Sequence, residues 1–179
     1  MSEITMFIKR NDINLFYLLN KKIHCRTLNG VMKLFTEFGS TAFAVVLAVI
    51  FLLFHSILPD GLGAVLVLNL IGSQIIIQLL KRIVNRQRPY KTHGWVLSIK
   101  PPKCQYSFPS GHTSSAFSIA LVVASFIPGL KFIIIPVAIM VGMSRVYLGC
   151  HYPTDVFIGF FISCTVFLIV AQIFTSQLI

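Results

Sequence analysis

Long apolar runs alternate with short polar segments along this 179-residue chain. Four runs contain no Lys, Arg, Asp or Glu and have the length, roughly 20 residues, that a helix needs to cross a bilayer. They are Phe38 to Pro59, Gly61 to Leu80, Cys104 to Leu130 and Val156 to Ile179. A fifth run, Phe132 to Ser144, is shorter, but Lys131 and Arg145 at its ends can extend into the headgroup layer. The pattern predicts about five transmembrane helices.

The segment before the first run is more polar and predicts a different element. Apolar residues recur there at helical spacing, in the sets Ile13, Phe16, Tyr17 and Leu15, Leu18, Leu19. Charged residues at Lys9, Arg10 and Asp12 interrupt the segment, so it is not a cleaved signal peptide. We predict an amphipathic helix on the membrane surface, with a solvated tail as the alternative.

The composition agrees with a membrane protein of class all-α. Hydrophobic residues make up 56% of the chain and charged residues only 11%, too apolar a mixture for a water-soluble globule of this size. The four cysteines form no CxxC pair, so neither a disulfide framework nor a metal site is implied. We expect one domain, residues 1–179, in which an interfacial segment at 1–37 precedes a transmembrane bundle at 38–179.

Polar residues gather at three places beside the predicted spans, where ionisable side chains are costly and therefore point to function. The clusters are Lys81 to Pro89, Pro109 to His112 and Ser144 to Asp155. If successive spans alternate in direction, all three clusters lie on one membrane face. The sequence therefore predicts that they form one site.

The first two clusters have residue types that bind phosphate. Lys81 and Arg88 are seven residues apart, so they share one stripe if the helix continues to Pro89. Ser110 is a natural N-cap, Gly111 lets an anion approach the backbone, and free amides at a helix start bind phosphate. His112, in the first turn, can then give a proton to a leaving oxygen. Other basic residues nearby are better explained by attraction to anionic headgroups: Arg82, Arg86, Lys91, Lys100 and Lys103.

The third cluster contains a histidine and an acid at helical spacing. Pro153 suits the first turn of a helix, which places His151 just before it and Asp155 four residues later. A hydrogen-bonded carboxylate would fix the tautomer of His151 and leave its other nitrogen free to attack. Arg145 would complete a clamp for phosphate oxygens. Two histidines and an acid could also bind zinc or iron, but the cations around them disfavour a metal, so we expect no cofactor.

Together the clusters resemble the type-2 phosphatidic acid phosphatase superfamily, which includes haloperoxidases and bacterial phosphatases of diphosphate lipids. The family's three motifs occur in order: a lysine, six residues and Arg-Pro at Lys81, Arg88 and Pro89; Pro-Ser-Gly-His at Pro109 to His112; and Ser-Arg, five residues, His, three residues, Asp at Ser144, Arg145, His151 and Asp155. The resemblance implies a phosphohistidine on His151, oriented by Asp155, with His112 as the acid. It also implies a phosphate site formed by Lys81, Arg88, Ser110, Gly111 and Arg145.

The resemblance further implies a metal-independent phosphatase of membrane lipids, with no nucleic-acid partner. Among substrates, undecaprenyl diphosphate, phosphatidylglycerophosphate and phosphatidic acid stay open, as does the oligomeric state. The loop from Tyr90 to Tyr106, with His93 and Trp95, would influence this choice, although Trp95 is better explained as an interfacial anchor. Two other functions are weighed: phosphate transfer to another lipid or sugar, and lipid binding or transport without catalysis.

The side of the membrane on which the site lies is predicted differently by two arguments. With five spans, fourteen of the fifteen Lys and Arg residues share the catalytic face, and the positive-inside rule then places it in the cytoplasm. The family resemblance implies an extracytoplasmic or lumenal site. We follow the family and expect a multi-pass plasma-membrane protein with an outward-facing site, because phosphate binding and headgroup attraction account for several of these cations.

Overall fold

The computed structural model describes residues 3–98 and 104–176, and all regular elements in these ranges are helical. The α-helices are α1 (Glu3–Tyr17), α2 (Arg26–Glu37), α3 (Thr41–Leu53), α4 (Leu62–Val84), α5 (Pro89–Thr92), α6 (Gly111–Phe126), α7 (Lys131–Tyr147) and α8 (Pro153–Ser176). A π-helical turn, Leu18–Lys22, extends α1, and a 3-10 turn, Pro128–Leu130, precedes α7. The predicted all-α fold is confirmed. Lys100 and Lys103 lie outside the described residues.

The helix α6 forms the centre of the bundle and packs against α4, α7 and α8. Small side chains, among them Ser114, Ala116, Ser118 and Ala120, cover much of its surface and are buried. Small residues let helices approach closely inside a membrane, where the hydrophobic effect does not drive one helix against another. Larger apolar residues fill the gaps on the α3 and α4 side, including Leu66, Leu70 and Val122.

The outer surface of the bundle is apolar. Large exposed side chains on α3, α4 and α8 include Val45, Leu53, Leu68, Ile75, Leu79, Phe157, Leu168 and Ile169. A soluble monomer rarely exposes contiguous apolar surface of this extent, whereas hydrocarbon tails are a suitable solvent for it. The distribution identifies a membrane protein.

Among the residues that the structure describes, three helical segments are long and apolar enough to cross a membrane: Leu62–Val84, Pro128–Tyr147 and Pro153–Phe174. The helices α2 and α3, bent by 46° at a short break, could together form a fourth span. Two predicted spans differ from the structure. The run from Phe38 gives only the 13-residue α3, because Ser40 caps it and the chain turns after Leu53. The run from Cys104 becomes helical only at Gly111, so the count of five spans stays a prediction.

The N-terminal helix packs on the bundle where α7 ends and α8 begins. Phe16 is fully buried there in a cluster with Val146 and Tyr152. Just beyond α1, the Asn20 side chain donates to the backbone carbonyls of Leu97 and Tyr147, at 2.9 and 2.8 Å. Asn20 is a polar residue within an apolar stretch of the sequence. Its buried side chain is hydrogen-bonded to backbone groups of two other segments.

Candidate active site

The three motif clusters meet at one end of the bundle. The start of α6 is joined to the start of α8 by a hydrogen bond from the Ser110 N–H to the Asp155 carbonyl, 2.9 Å long. The loop after α4 reaches the loop after α7 through Arg88, whose Nη1 donates to the Cys150 carbonyl at 2.8 Å. The convergence predicted from alternating spans is therefore present in the structure.

Lys81 and Arg88 approach the same place, but not along one helical stripe as predicted. The α4 helix ends at Val84, because Asn85 adopts the left-handed conformation with φ of 50°. Asparagine tolerates this conformation at a helix end. Arg88 is extended, as expected for the residue before a proline. Lys81 Nζ lies 3.8 Å from the Cys104 sulfur, and Arg88 Nε donates to the Cys104 carbonyl at 2.8 Å.

His151 is held in the loop between α7 and α8. Its backbone N–H donates to the Arg145 carbonyl, and only 2% of the residue is exposed. Arg88 Nη1 lies 3.2 Å from His151 Nε2. A guanidinium can only donate hydrogen bonds, so Nε2 accepts and the ring proton of the neutral imidazole is on Nδ1. The unprotonated nitrogen therefore faces the arginine.

The predicted hydrogen bond between His151 and Asp155 is not formed. Asp155 Oδ2 is 3.6 Å from His151 Nδ1, an ion-pair contact just longer than a hydrogen bond, and the backbone of Ser107 also acts on the His151 ring. Asp155 instead accepts from the Tyr152 N–H at 2.9 Å and from Arg86 Nη1 at 2.7 Å. The pair is adjacent and correctly oriented, but the carboxylate is bound by other donors.

Arg86 was not predicted to belong to the site, since the sequence suggested a role in headgroup attraction. Its guanidinium bridges Asp155 and Asp12, with Nη2 lying 2.6 Å from Asp12 Oδ2. Burial disfavours its charge, but Asp155 and Asp12 outweigh this effect and raise the pKa of Arg86. Asp12 belongs to α1, far from every motif. No local pattern identifies this contact, although a buried acid is notable in a chain with five acidic residues.

The start of α6 has the predicted cap. The Ser110 hydroxyl accepts from the Thr113 N–H and from the Thr113 hydroxyl, at 3.4 and 2.8 Å. A Cβ at Gly111 would meet the Gln74 side chain at 3.5 Å, an ordinary contact, and the predicted approach of an anion to this backbone stays a prediction. His112 is half-buried in the first turn. The charges of four neighbours act on its ring: Arg145, His151, Lys81 and Arg88.

Arg145 is almost completely buried at the end of α7, with 3% of the residue exposed. Its Nη1 donates to the Thr36 hydroxyl at 2.5 Å, a contact with α2 that the sequence did not suggest. Its Nε has no hydrogen-bond partner among the described residues. A buried, unsatisfied guanidinium N–H is costly and suits a site that binds an anion.

We call Lys81, Arg88 and Arg145 the cation cluster. Burial, followed by the charges of Arg88, Arg145 and Lys81, holds the pKa of His151 well below its usual range. His151 is therefore neutral at physiological pH. Across residues 3–98 and 104–176, no group of three His, Cys, Asp or Glu side chains could hold a metal ion. A buried cluster of positive charge around a neutral histidine can bind phosphate and present a nucleophilic nitrogen to it.

Comparison with known proteins identifies the family of this chain. A family model described as the PAP2 superfamily, which is the type-2 phosphatidic acid phosphatase superfamily, matches residues 62–178. An undecaprenyl-diphosphatase of Sulfolobus acidocaldarius is 26% identical over 163 residues, covering 90% of this chain and 78% of that protein. Phosphatidylglycerophosphatase B of Bacillus subtilis is 34% identical over 159 residues, covering 80% of this chain and 73% of that protein. The crystal structure of Aquifex aeolicus LpxE aligns with a TM-score of 0.80 at 27% identity, covering 89% of this chain and 94% of that one. As its three motifs predicted, the chain belongs to the PAP2 superfamily.

Proposed function

We propose that this membrane lipid phosphatase acts through a phosphohistidine on His151. The observation that carries the proposal is the 3.2 Å contact between Arg88 Nη1 and His151 Nε2 inside the cation cluster. It places the unprotonated imidazole nitrogen beside a donor suited to phosphate oxygens. A phosphate bound to the cluster would take over this donor and bring phosphorus close to Nε2.

In the first step His151 Nε2 forms a bond to phosphorus while the bond from phosphorus to the leaving oxygen breaks. The imidazole becomes positively charged, and Asp155, 3.6 Å from Nδ1, stabilises that charge. The cation cluster neutralises the nonbridging oxygens. His112, protonated once the bound phosphate offsets the charges of the cation cluster, gives its proton to the leaving oxygen, which departs as an alcohol or as a phosphate.

In the second step water attacks phosphorus and His112 accepts a proton from it. The bond between phosphorus and Nε2 breaks, inorganic phosphate leaves, and His151 returns to its neutral form. Ser110 and Gly111 complete the phosphate site at the start of α6, where a helix N-terminus offers an anion the backbone N–H groups that the Ser110 cap does not bind. The roles of all these residues belong to the proposal.

We further propose a substrate with a long hydrocarbon chain, of the undecaprenyl diphosphate, phosphatidylglycerophosphate or phosphatidic acid class. An apolar cavity of about 500 Å³ is lined by residues of α1, α6, α7 and α8, and two of them, Val146 and Pro153, are close in the chain to Arg145 and His151. Its size is typical of ligand pockets, and its lining suits hydrocarbon. Two relatives support the first two candidates, being an undecaprenyl-diphosphatase and a phosphatidylglycerophosphatase.

Phosphate release from a panel of these lipids tests the proposal. The purified protein in detergent is assayed with a polyprenyl diphosphate, phosphatidylglycerophosphate and phosphatidic acid, with and without chelator. We expect turnover that survives chelation and is inhibited by vanadate, which mimics five-coordinate phosphorus. Loss of turnover in chelator that zinc or magnesium restores would contradict the mechanism, and absence of release from every lipid would contradict the function.

The site is proposed to face the outside of the plasma membrane, with residues 1–37 at the interface. Lys91 is exposed near the site, whereas Lys131 is exposed at the opposite end of α7. In a background without native cysteines, Lys91→Cys should react with a membrane-impermeant thiol label in intact cells, and the matched Lys131→Cys only after permeabilisation. The reverse labelling would place the site in the cytoplasm and would favour the positive-inside rule.

A further inference from the structure

Asp12 is a buried acid in a strongly basic chain. The chain has a net charge of +10 and only five acidic residues, yet Asp12 is 4% exposed while Lys9 and Arg10 on the same helix are exposed. A carboxylate is buried only where donors replace the water that it loses. The partners of Asp12 therefore indicate which part of the bundle α1 supports.

Those partners belong to the active-site end of the bundle. Asp12 Oδ2 accepts from Arg86 Nη2 at 2.6 Å and from the Thr154 hydroxyl at 2.7 Å, and Oδ1 accepts from the Thr154 N–H at 2.9 Å. Thr154 precedes Asp155 in the first turn of α8, and its hydroxyl also accepts from Arg86 Nη1 at 2.7 Å. Asp12 thus binds both the chain neighbour of Asp155 and the guanidinium that holds Asp155.

The Arg86 guanidinium is shared between two carboxylates. Its Nη2 faces Asp12 and its Nη1 faces Asp155, while Cζ lies 3.9 Å above the ring of Tyr152. If Asp12 were absent, both ends of the guanidinium fork could turn to Asp155, because arginine and carboxylate favour a two-pronged pair. That pair would neutralise Asp155 more fully and draw Oδ2 away from His151.

We propose that Asp12 is a positioning residue for the phosphatase reaction. Through Arg86 and Thr154 it sets the place of the Asp155 carboxylate and limits how much of its charge Arg86 neutralises. The N-terminal helix then completes the active site as well as covering it. This inference rests on the proposed function, in which Asp155 stabilises the positive charge on His151.

The test compares Asp12→Asn with Glu3→Gln, which removes the same charge from an exposed position on the same helix. We expect D12N to lower kcat by about 10- to 100-fold, the range known for groups that orient a functional side chain from outside. The KM of D12N should stay within about twofold of the wild-type value, since Asp12 does not touch the cation cluster. The kcat and KM of E3Q should both stay within the same range. A kcat of D12N equal to that of E3Q would overturn the inference.

A second comparison asks whether Asp12 acts through Arg86. In an Arg86→Gln background, D12N should lower kcat clearly less than it does in the wild type, because coupled residues are not additive and only the Thr154 contacts of Asp12 remain to be lost. An undiminished cost in that background would show that Arg86 does not transmit the effect of Asp12 and would also overturn the inference. If wild type and E3Q release no phosphate from any lipid, the proposed function fails. Failure confined to the D12N comparison leaves that function standing.

Folding is monitored by thermal unfolding of each variant. If D12N does not fold, Thr154→Val gives an equivalent test, since it removes the hydroxyl that Asp12 and Arg86 share and leaves every charge in place. We expect T154V to lower kcat several-fold with KM unchanged. Wild-type kcat in a folded T154V would contradict the positioning role.

Discussion

The two histidines of the site differ in how firmly they are held. His151 is buried in a loop, with its backbone bonded to Arg145 and its ring between Arg88 and Asp155. His112 lies on the first turn of α6 and is half-buried. Within the described parts of the chain its ring makes no side-chain hydrogen bond. The His151 ring is therefore held by a hydrogen bond from Arg88, and the His112 ring is not held in this way.

This difference matches the two chemical tasks that we propose. A nucleophile must present one atom along one line of attack, so immobilising it removes an entropic cost from the reaction. A proton donor must follow a leaving oxygen that differs between substrates, and needs only to come within hydrogen-bond reach. Changing each group in turn should therefore give losses of different kinds.

The largest loss is expected for His151→Ala. Without the attacking nitrogen, turnover should fall by on the order of 10⁵- to 10⁶-fold for every substrate, the size seen when a nucleophile is removed from other enzymes. Alkali-quenched reactions with labelled substrate, in which phosphohistidine survives, should contain phosphoenzyme in the wild type and none in H151A. The control is His55→Ala, which changes an exposed histidine after α3. Phosphoenzyme trapped on His112 would invert our assignment of nucleophile and acid.

A smaller loss is expected for Asp155→Asn. The amide keeps the size of the side chain but supplies no negative charge for the imidazolium, so we expect about a 100- to 10,000-fold lower kcat. Single-turnover kinetics should show slow formation of phosphoenzyme, while Asp60→Asn, at an exposed acid, should behave as wild type. Phosphoenzyme that forms in D155N at the wild-type rate would remove Asp155 from the first step.

The smallest loss is expected for His112→Ala with an activated substrate. A lipid alcohol needs a proton as it leaves, so its first turnover should slow by about 100- to 10,000-fold. The activated substrate is nitrophenyl phosphate, whose leaving group, nitrophenolate, is a stable anion that needs no proton. Its release in the first turnover should slow by about tenfold or less. Stopped-flow measurement of both substrates gives the ratio directly. Equal losses for the two substrates would rule out His112 as the donor.

Local sequence patterns predicted the elements that hold the site. Ser110 caps α6 and Pro153 begins α8, as their residue types suggested. The shared stripe of Lys81 and Arg88 depended on α4 continuing to Pro89, and the structure ends this helix at Val84, before Asn85. Two residues signalled this helix end in the sequence. Asn85 can adopt the left-handed conformation, and Arg88 is restricted to an extended conformation by Pro89.

The sequence by itself determined the membrane class, the family and the order of its motif residues, because apolar length and short motifs are local features of the chain. Only the tertiary structure decided which charges meet. Asp12 and Thr154 are 142 residues apart, and Arg145 and Thr36 are 109 apart. Such pairs depend on how α1 and α2 pack against the bundle, and no periodicity along the chain encodes that packing. The same packing leaves Asp155 bound to Arg86 and 3.6 Å from the histidine it was predicted to bind.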